Sequence, residues 1–135
     1  MAVLTWNHAC VVGVRAMDNQ HALLMDAAND LRLAWMRGSG HKKVGELMRL
    51  LMELARMHFR NEEQLMEQAG FPGLAAHCGE HQRLLRRFEE AARHAETGEN
   101  VPLHAQLCAV SNALLAHFEG MDRDYGPWMN ARGLD

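Results

Sequence analysis

The sequence predicts an all-α fold, an up-down-up-down antiparallel four-helix bundle that follows a non-helical N-terminal arm. Four segments carry apolar residues at the three- and four-residue spacings of amphipathic helices. Short connections join these segments, which favours antiparallel neighbours. No segment has the alternating pattern typical of a strand. We expect one domain over residues 1–135, with an arm at 1–18, the bundle at 19–122 and a tail at 123–135.

Capping and turn residues place the ends of the helices. The predicted helices cover about residues 19–37, 42–69, 74–97 and 102–120. Asp18 is a plausible N-cap of the first helix, and Gly70 has the expected position of a C′ residue after the second. A turn at Phe71-Pro72-Gly73 precedes the third helix. The fourth helix begins near Pro102 and weakens near Gly120.

The composition limits the classes of function. The 135-residue chain is 48% hydrophobic and 23% charged, with a formal net charge of −3. That charge, with no cluster of basic residues, argues against a nucleic-acid partner, and no apolar run approaches the ~20 residues that span a bilayer. Three cysteines without a CxxC motif indicate a reducing compartment. Since Met1 to Trp6 has no signal-peptide pattern, we expect a cytoplasmic protein without a membrane partner.

Five of the nine histidines fall within the predicted apolar stripes, where an imidazole is unusual. They are His21, His58, His77, His81 and His117. The starts of the first and third helices and the ends of the second and fourth lie at one end of such a bundle. All five histidines are therefore predicted within roughly three turns of that end. Each alone is compatible with a hydrogen-bonded core residue, but together they predict one site.

A carboxylate accompanies these histidines on the second helix. Glu62 follows His58 by four residues, and His81 follows His77 by four, so each pair shares a helix face. Imidazole with carboxylate suits iron, manganese or zinc. Burying these groups unpaired would be costly without a metal. The pattern therefore predicts a site for a pair of metal ions.

A second carboxylate, Asp122, needs a change of helix direction. It follows His117 by five residues, a step that turns about 140° away from the shared face of a regular helix. Gly120 lies between them and would let the helix end or bulge, which would return Asp122 to the site. Two further acidic residues, Glu63 and Glu67, are expected on a solvated face.

The motif pattern resembles that of the bacterial hemerythrins from roughly Trp6 to Tyr125. The segments that carry the resemblance are Trp6, Val12-Gly13-Val14, Gln20-His21, His58-Phe59-Arg60-Asn61-Glu62-Glu63, Gly70-Phe71-Pro72, His77-Cys78-Gly79-Glu80-His81 and His117-Phe118-Glu119-Gly120-Met121-Asp122. All seven positions that match the family's ligand pattern are filled. The resemblance implies a single hemerythrin-like domain with a non-haem di-iron centre that binds O2.

The resemblance also implies how the ligands are divided. The implied sets are His77, His81 and His117 on one iron, His21 and His58 on the other, and Glu62 and Asp122 as bridges. A solvent-derived oxo or hydroxo group would be the third bridge between the two Fe ions. The iron with two histidines would keep an open position for O2.

An apolar pocket is implied around that open position. Its residues by matching position are Leu24, Phe59, Ala113, Leu114 and Phe118. The family often carries Trp-Leu before the last histidine and Ile after it, where this chain has Ala113-Leu114 and Phe118. The smaller side chain at Ala113 predicts weaker closure of the pocket and faster autoxidation.

The implied function is reversible O2 binding for storage, transport or delivery, and not enzymatic catalysis. We expect a monomer, with an unidentified delivery or signalling partner. The same ligands would serve an O2 or redox sensor, or a di-iron enzyme that removes peroxide or nitric oxide. A distant alternative is a zinc metalloprotease, because His77 and Glu80-His81 fit the H-x-x-E-H signature with Glu80 as general base. That alternative leaves the other predicted ligands unexplained.

Overall fold

The computed structural model describes residues 11–98 and 103–135, which form five helices and, within those ranges, no strand. The helices are α1 (Arg15–Met36), α2 (His41–Gln68), α3 (Leu74–Thr97), α4 (Leu103–Glu119) and α5 (Met121–Asn130). Helix α2 packs against α1 and α3, and α4 packs against α3 and α1. The first four helices therefore close into a four-helix bundle, which confirms the predicted fold class.

The N-terminal arm is shorter than predicted. Helix α1 begins at Arg15, four residues earlier than expected, and its N-cap is Val14. Asp18 is therefore wrong as an N-cap, because it lies inside the first turn. Its carboxylate accepts hydrogen bonds from the backbone N–H groups of Val12 (2.8 Å) and Gly13 (3.3 Å). These bonds attach the arm to the start of the helix that follows it.

The predicted tail at 123–135 is also wrong, because most of it belongs to α5. Asp122, Tyr125 and Met129 are buried and lie three and four residues apart, so they form one inward face. Gly126 allows this helix to touch the arm, since a Cβ at that position would lie 1.9 Å from the carbonyl oxygen of Val12. The chain after α4 thus closes one end of the bundle.

The C-terminal end of α2 matches the prediction. Gly70 has a φ of +64°, a conformation that favours glycine, and the N–H of Phe71 donates to the carbonyl of Met66 (2.9 Å). This arrangement turns the chain sharply towards α3. The predicted helix start near Pro102 and the arm residues 1–10, including Trp6, lie outside the described residues.

Two apolar clusters fill the bundle, one on each side of a polar layer. The larger extends through the middle of the four helices, and the smaller consists of Val12, Val14, Met17, Met66, Tyr125 and Met129. On α2, Phe59 belongs to the larger cluster and Met66 to the smaller, with Glu62 between them. Along the described ranges, no helix is long and apolar enough to cross a bilayer.

Candidate metal centre

The polar layer contains all seven residues that the sequence predicts as metal ligands. They are His21 on α1, His58 and Glu62 on α2, His77 and His81 on α3, His117 on α4 and Asp122 on α5. Every one of them is at least 97% buried. The antiparallel order of the helices brings the early turns of α1 and α3 level with the late turns of α2 and α4. Four helices and the start of a fifth therefore supply one compact cluster.

Glu62 lies at the centre of this cluster. Its Oε1 is 3.1 Å from Nε2 of His77 and 3.0 Å from Nε2 of His81. Its Oε2 is 3.0 Å from Nε2 of His58 and 3.3 Å from Nε2 of His21. One carboxylate thus faces histidines from three helices, with each oxygen directed to a different pair.

Asp122 spans the cluster in the same way from the other side. Its Oδ1 lies 2.6 Å from Nε2 of His77 and 2.9 Å from Nε2 of His117, and its Oδ2 lies 2.9 Å from Nε2 of His21. Helix α4 ends at Glu119, and Gly120 has φ −103° and ψ −91°, outside the helical range. This break, expected from the five-residue spacing, is what turns the carboxylate of Asp122 inward.

The donor atoms fall into two groups that share both carboxylates. The groups are Glu62, His77, His81, His117 and Asp122, and His21, His58, Glu62 and Asp122. Within each group, the ligand atoms all lie within 4.8 Å of one another. Two adjoining groups with two common carboxylates are the arrangement that a pair of bridged metal ions requires.

The hydrogen bonding of the cluster is incomplete, which fits a metal site. Nδ1 of His21 and His117, Nε2 of His58 and Oδ2 of Asp122 are buried without a hydrogen bond. The short distances from His58 to Glu62 and from His21 to Asp122 lack hydrogen-bond geometry. In addition, Nε2 of His81 lies 3.1 Å from Nε2 of His117, so two nitrogens face each other. Buried polar atoms without partners are costly, and metal ions between these donors would satisfy them.

The carboxylates make the cluster attractive to positive charge. Burial alone would lower the pKa of His21, His77 and His117, but the nearby carboxylates of Asp122 and Glu62 raise each to about 9. Burial would raise the pKa of both carboxyls, but the surrounding imidazoles hold the pKa of Glu62 well below its usual value and lower that of Asp122 to about 2. The carboxylates therefore remain ionised in the interior, where protons and metal ions compete for the same histidines.

Two of the histidines are oriented by partners outside the cluster. The Nδ1 of His58 donates to Oε1 of Gln20 (2.7 Å), and the Nδ1 of His81 donates to Oε2 of Glu63 (3.3 Å). Each bond places the proton on Nδ1 and directs the Nε2 lone pair inward, as a metal ligand needs. Glu63 is partly solvated as expected, with its side chain 33% exposed, but the sequence did not predict its contact with His81.

Tyr125 is a contributor to the site that sequence reasoning missed. Its side chain is fully buried, and its hydroxyl donates to Oε2 of Glu62 (3.0 Å). The sequence prediction places this residue in the tail. The available signal was its spacing, because Tyr125 follows Asp122 by three residues and so shares its helical face.

The residues expected to line an O2 pocket are mostly buried. These are Leu24, Phe59, Leu114 and Phe118, which are at most 1% exposed, and Ala113, which is half-buried. Phe59 stacks on the ring of His81 with 3.9 Å between centroids, and Phe118 stacks on His21 at 4.0 Å. Stacked rings fix the orientation of the imidazoles and keep water from their faces.

A narrow apolar crevice between α1 and α2 leads to the smaller donor group. It has a volume of about 20 Å³ and is lined by Gln20, Leu23, Leu24, Leu54, Met57 and His58. Leu23 and Met57 at its mouth are 58% and 53% exposed. A volume of that size admits about one water-sized molecule.

The sequence of the chain is similar to those of known proteins of one family. A family model described as the hemerythrin HHE cation binding domain matches residues 12–129. The chain is 30% identical over 131 residues to the bacteriohemerythrin of Stenotrophomonas maltophilia (strain R551-3), covering 97% of this chain and 84% of that protein. It is 29% identical over 132 residues to the bacteriohemerythrin of Methylococcus capsulatus (Bath), covering 97% of this chain and 100% of that protein.

A solved structure agrees with the fold. A crystal structure of wild-type hemerythrin superposes with a TM-score of 0.83 at 28% sequence identity, covering 93% of this chain and 97% of that one. The agreement extends over nearly the whole length of both chains.

Proposed function

Because the chain belongs to the hemerythrin family, we propose that it holds two iron ions in the polar layer and binds O2 reversibly, for storage, transport or delivery. One observation carries this proposal: two groups of buried donors share Glu62 and Asp122. The larger group offers three histidines and the smaller group two. The smaller group would therefore offer its ion fewer protein ligands than the larger group.

The proposed ligands follow the two groups of donor atoms. His77, His81 and His117 would hold one ion, His21 and His58 would hold the other, and Glu62 and Asp122, common to both groups, would be shared between them. Two divalent ions carry four positive charges, and the two carboxylates offset half of these inside an apolar bundle. The imidazoles and carboxylates together suit iron, the metal typical of this family.

The iron pair, when bound, supplies the electrons for reversible association with O2. The protein excludes water from the centre and gives O2 access to it. Phe118 and Leu24 lie beside His21 and His58, so the face of the smaller group is apolar and poorly hydrated. The crevice that ends at His58 provides a path for a small apolar gas. Exclusion of water in this way slows side reactions such as loss of peroxide.

A sensor or an oxidant-scavenging enzyme on the same centre is the second candidate. Ala113 favours it, because this half-buried side chain is small at a position where the family resemblance leads us to expect tryptophan. The zinc protease alternative is disfavoured, because it leaves most of the buried donors without a role. In addition, the carboxylate of its proposed general base, Glu80, pairs with the largely exposed Arg83 (2.9 Å).

We place the protein in the cytoplasm. Cys78 and Cys108, the two cysteines among the described residues, are both free thiols. Free thiols are typical of a reducing compartment.

The proposal is tested by a visible spectrum recorded through one oxygen cycle. Iron-loaded protein is reduced anaerobically, exposed to O2 and then purged with argon. We expect a charge-transfer band that appears with O2 and disappears on purging, with two irons per chain. The variant His117→Gln should lose the band, whereas His41→Gln, at an exposed residue outside the cluster, should keep it. A band that decays to a stable oxidised spectrum would favour the sensor or enzyme, and absence of iron would refute the metal centre.

A further inference from the structure

The two donor groups differ in the residues that hold their histidines from outside. In the larger group, Nδ1 of His81 donates to the carboxylate of Glu63 (3.3 Å). In the smaller group, Nδ1 of His58 donates to the side-chain carbonyl of Gln20 (2.7 Å). One outer partner is anionic and the other is a neutral amide. The two halves of the centre are therefore chemically unequal beyond the number of their ligands.

The charge of the outer partner changes the strength of the metal ligand. A carboxylate that accepts the Nδ1 proton draws it away from the ring, which makes the opposite Nε2 a better electron donor to a cation. An amide carbonyl orients the ring in the same way but adds no charge. Glu63 also brings negative charge close to the larger group, whereas the smaller group has no such outer carboxylate on His58.

We infer that Glu63 and Gln20 are positioning residues that set the order in which the two donor groups lose their ions. The larger group, which contains His81, should retain its ion longer than the smaller group. This rests on the proposed function, since it assumes that both donor groups bind metal. Altering a residue that hydrogen-bonds to a metal ligand, without binding the metal itself, typically changes the metal affinity by about 10- to 100-fold. The partial exposure of Glu63, at 33%, places its effect at the lower end of that range.

The test measures release of Co2+ from the loaded protein into an excess of chelator. Wild-type protein should release two ions in two phases. Glu63→Gln preserves a hydrogen-bond acceptor and removes the charge, and it should accelerate only the slow phase, by about tenfold. Gln20→Glu adds a charge at the other position and should slow only the fast phase by a similar factor.

Glu80→Gln is the matched control for loss of charge. Glu80 lies on α3 beside His81 in sequence, and its side chain is 30% exposed, against 33% for Glu63. Its partner is Arg83 instead of a histidine. This control should leave both phases unchanged. Circular dichroism of each variant verifies that the helices remain intact.

The outcomes separate this inference from the proposed function. An unchanged slow phase in Glu63→Gln, or the same acceleration in Glu80→Gln, would overturn the inference. Release of two Co2+ ions in a single phase from wild-type protein would also overturn it while leaving a two-ion centre intact. Failure to bind Co2+ or iron at all would instead refute the metal centre, and the inference with it.

Discussion

Replacing Tyr125 by phenylalanine removes one hydroxyl from the interior and leaves the ring in place. That hydroxyl donates to Oε2 of Glu62 (3.0 Å), and both side chains are fully buried. Burial and the nearby carboxylates raise the pKa of Tyr125 well above its ordinary value, so the hydroxyl keeps its proton. The pKa of Glu62 is held well below its usual value, so the acceptor is ionised. The bond is therefore charge-assisted at neutral pH.

The size of the effect follows from this geometry. A hydrogen bond to a charged group contributes roughly 1.5–3 kcal/mol to the free energy of unfolding. Oε2 of Glu62 also lies 3.0 Å from His58 and 3.3 Å from His21, so it keeps other neighbours when the hydroxyl is lost. We therefore expect a loss near the lower end, about 1.5–2 kcal/mol. For a chain of this size, that corresponds to a fall in Tm of roughly 5–7 °C.

The assay is urea unfolding of chelator-treated protein, followed by circular dichroism, within a double-mutant cycle with Glu62→Gln. A neutral acceptor makes a weaker bond, of roughly 0.5–1.5 kcal/mol. Tyr125→Phe should therefore cost about 1 kcal/mol less in the Glu62→Gln background. Equal costs in the two backgrounds would refute the charge-assisted bond. A loss below ~0.5 kcal/mol in the parent would show that the hydroxyl does not stabilise the fold.

Three other substitutions test the centre and its surroundings. Glu62→Ala removes the shared carboxylate and should reduce the iron content, measured by elemental analysis, from two ions per chain to one or none; retention of two would contradict its bridging role. Ala113→Trp adds bulk to the half-buried wall and should slow autoxidation of the O2-bound protein, so an unchanged or faster rate would count against that wall. Met57→Trp should obstruct the crevice and slow O2 association and release by the same factor, roughly tenfold, or about 1.4 kcal/mol in each barrier. The O2 affinity should therefore be unchanged. Met36→Trp, at a residue 64% exposed and outside the crevice lining, should change neither rate.

Most of the bundle was predictable because its helices bury a regular stripe. The long amphipathic segments and the glycine after α2 locate the helices to within a few residues. The spacing from His117 to Asp122 was informative for a different reason. A five-residue step is incompatible with one helix face, so inward placement of both residues requires a break, and Gly120 provides it.

The last helix was not predictable from local signals. Helix α5 contains Gly126 and Pro127, both of which normally mark turns. Tertiary packing outweighs these preferences, because Tyr125 and Met129 are fully buried against the arm and α2. Gly126 is needed there because a Cβ at this position would lie 1.9 Å from the carbonyl oxygen of Val12. Local sequence rules do not reveal such a contact between distant segments.

The outer partners of the histidines were missed because their role depends on contacts between helices. Glu63 follows Glu62 on the same helix and reads as a surface acid, yet its carboxylate reaches His81 on the neighbouring helix. Gln20 and His58 are 38 residues apart in sequence. Such contacts follow from the rotation of one helix relative to another. A single sequence does not specify that rotation.

The position of the polar layer explains how one small bundle tolerates so many buried ionisable groups. Five imidazoles and two carboxylates without complete hydrogen bonding oppose folding. The apolar clusters on either side, anchored by residues such as Phe59 and Met66, supply the burial that offsets this cost. The same clusters exclude water from the layer, which strengthens the attraction of its carboxylates for cations. Most of the stability therefore comes from the apolar clusters, whereas the metal ligands lie in the polar layer between them.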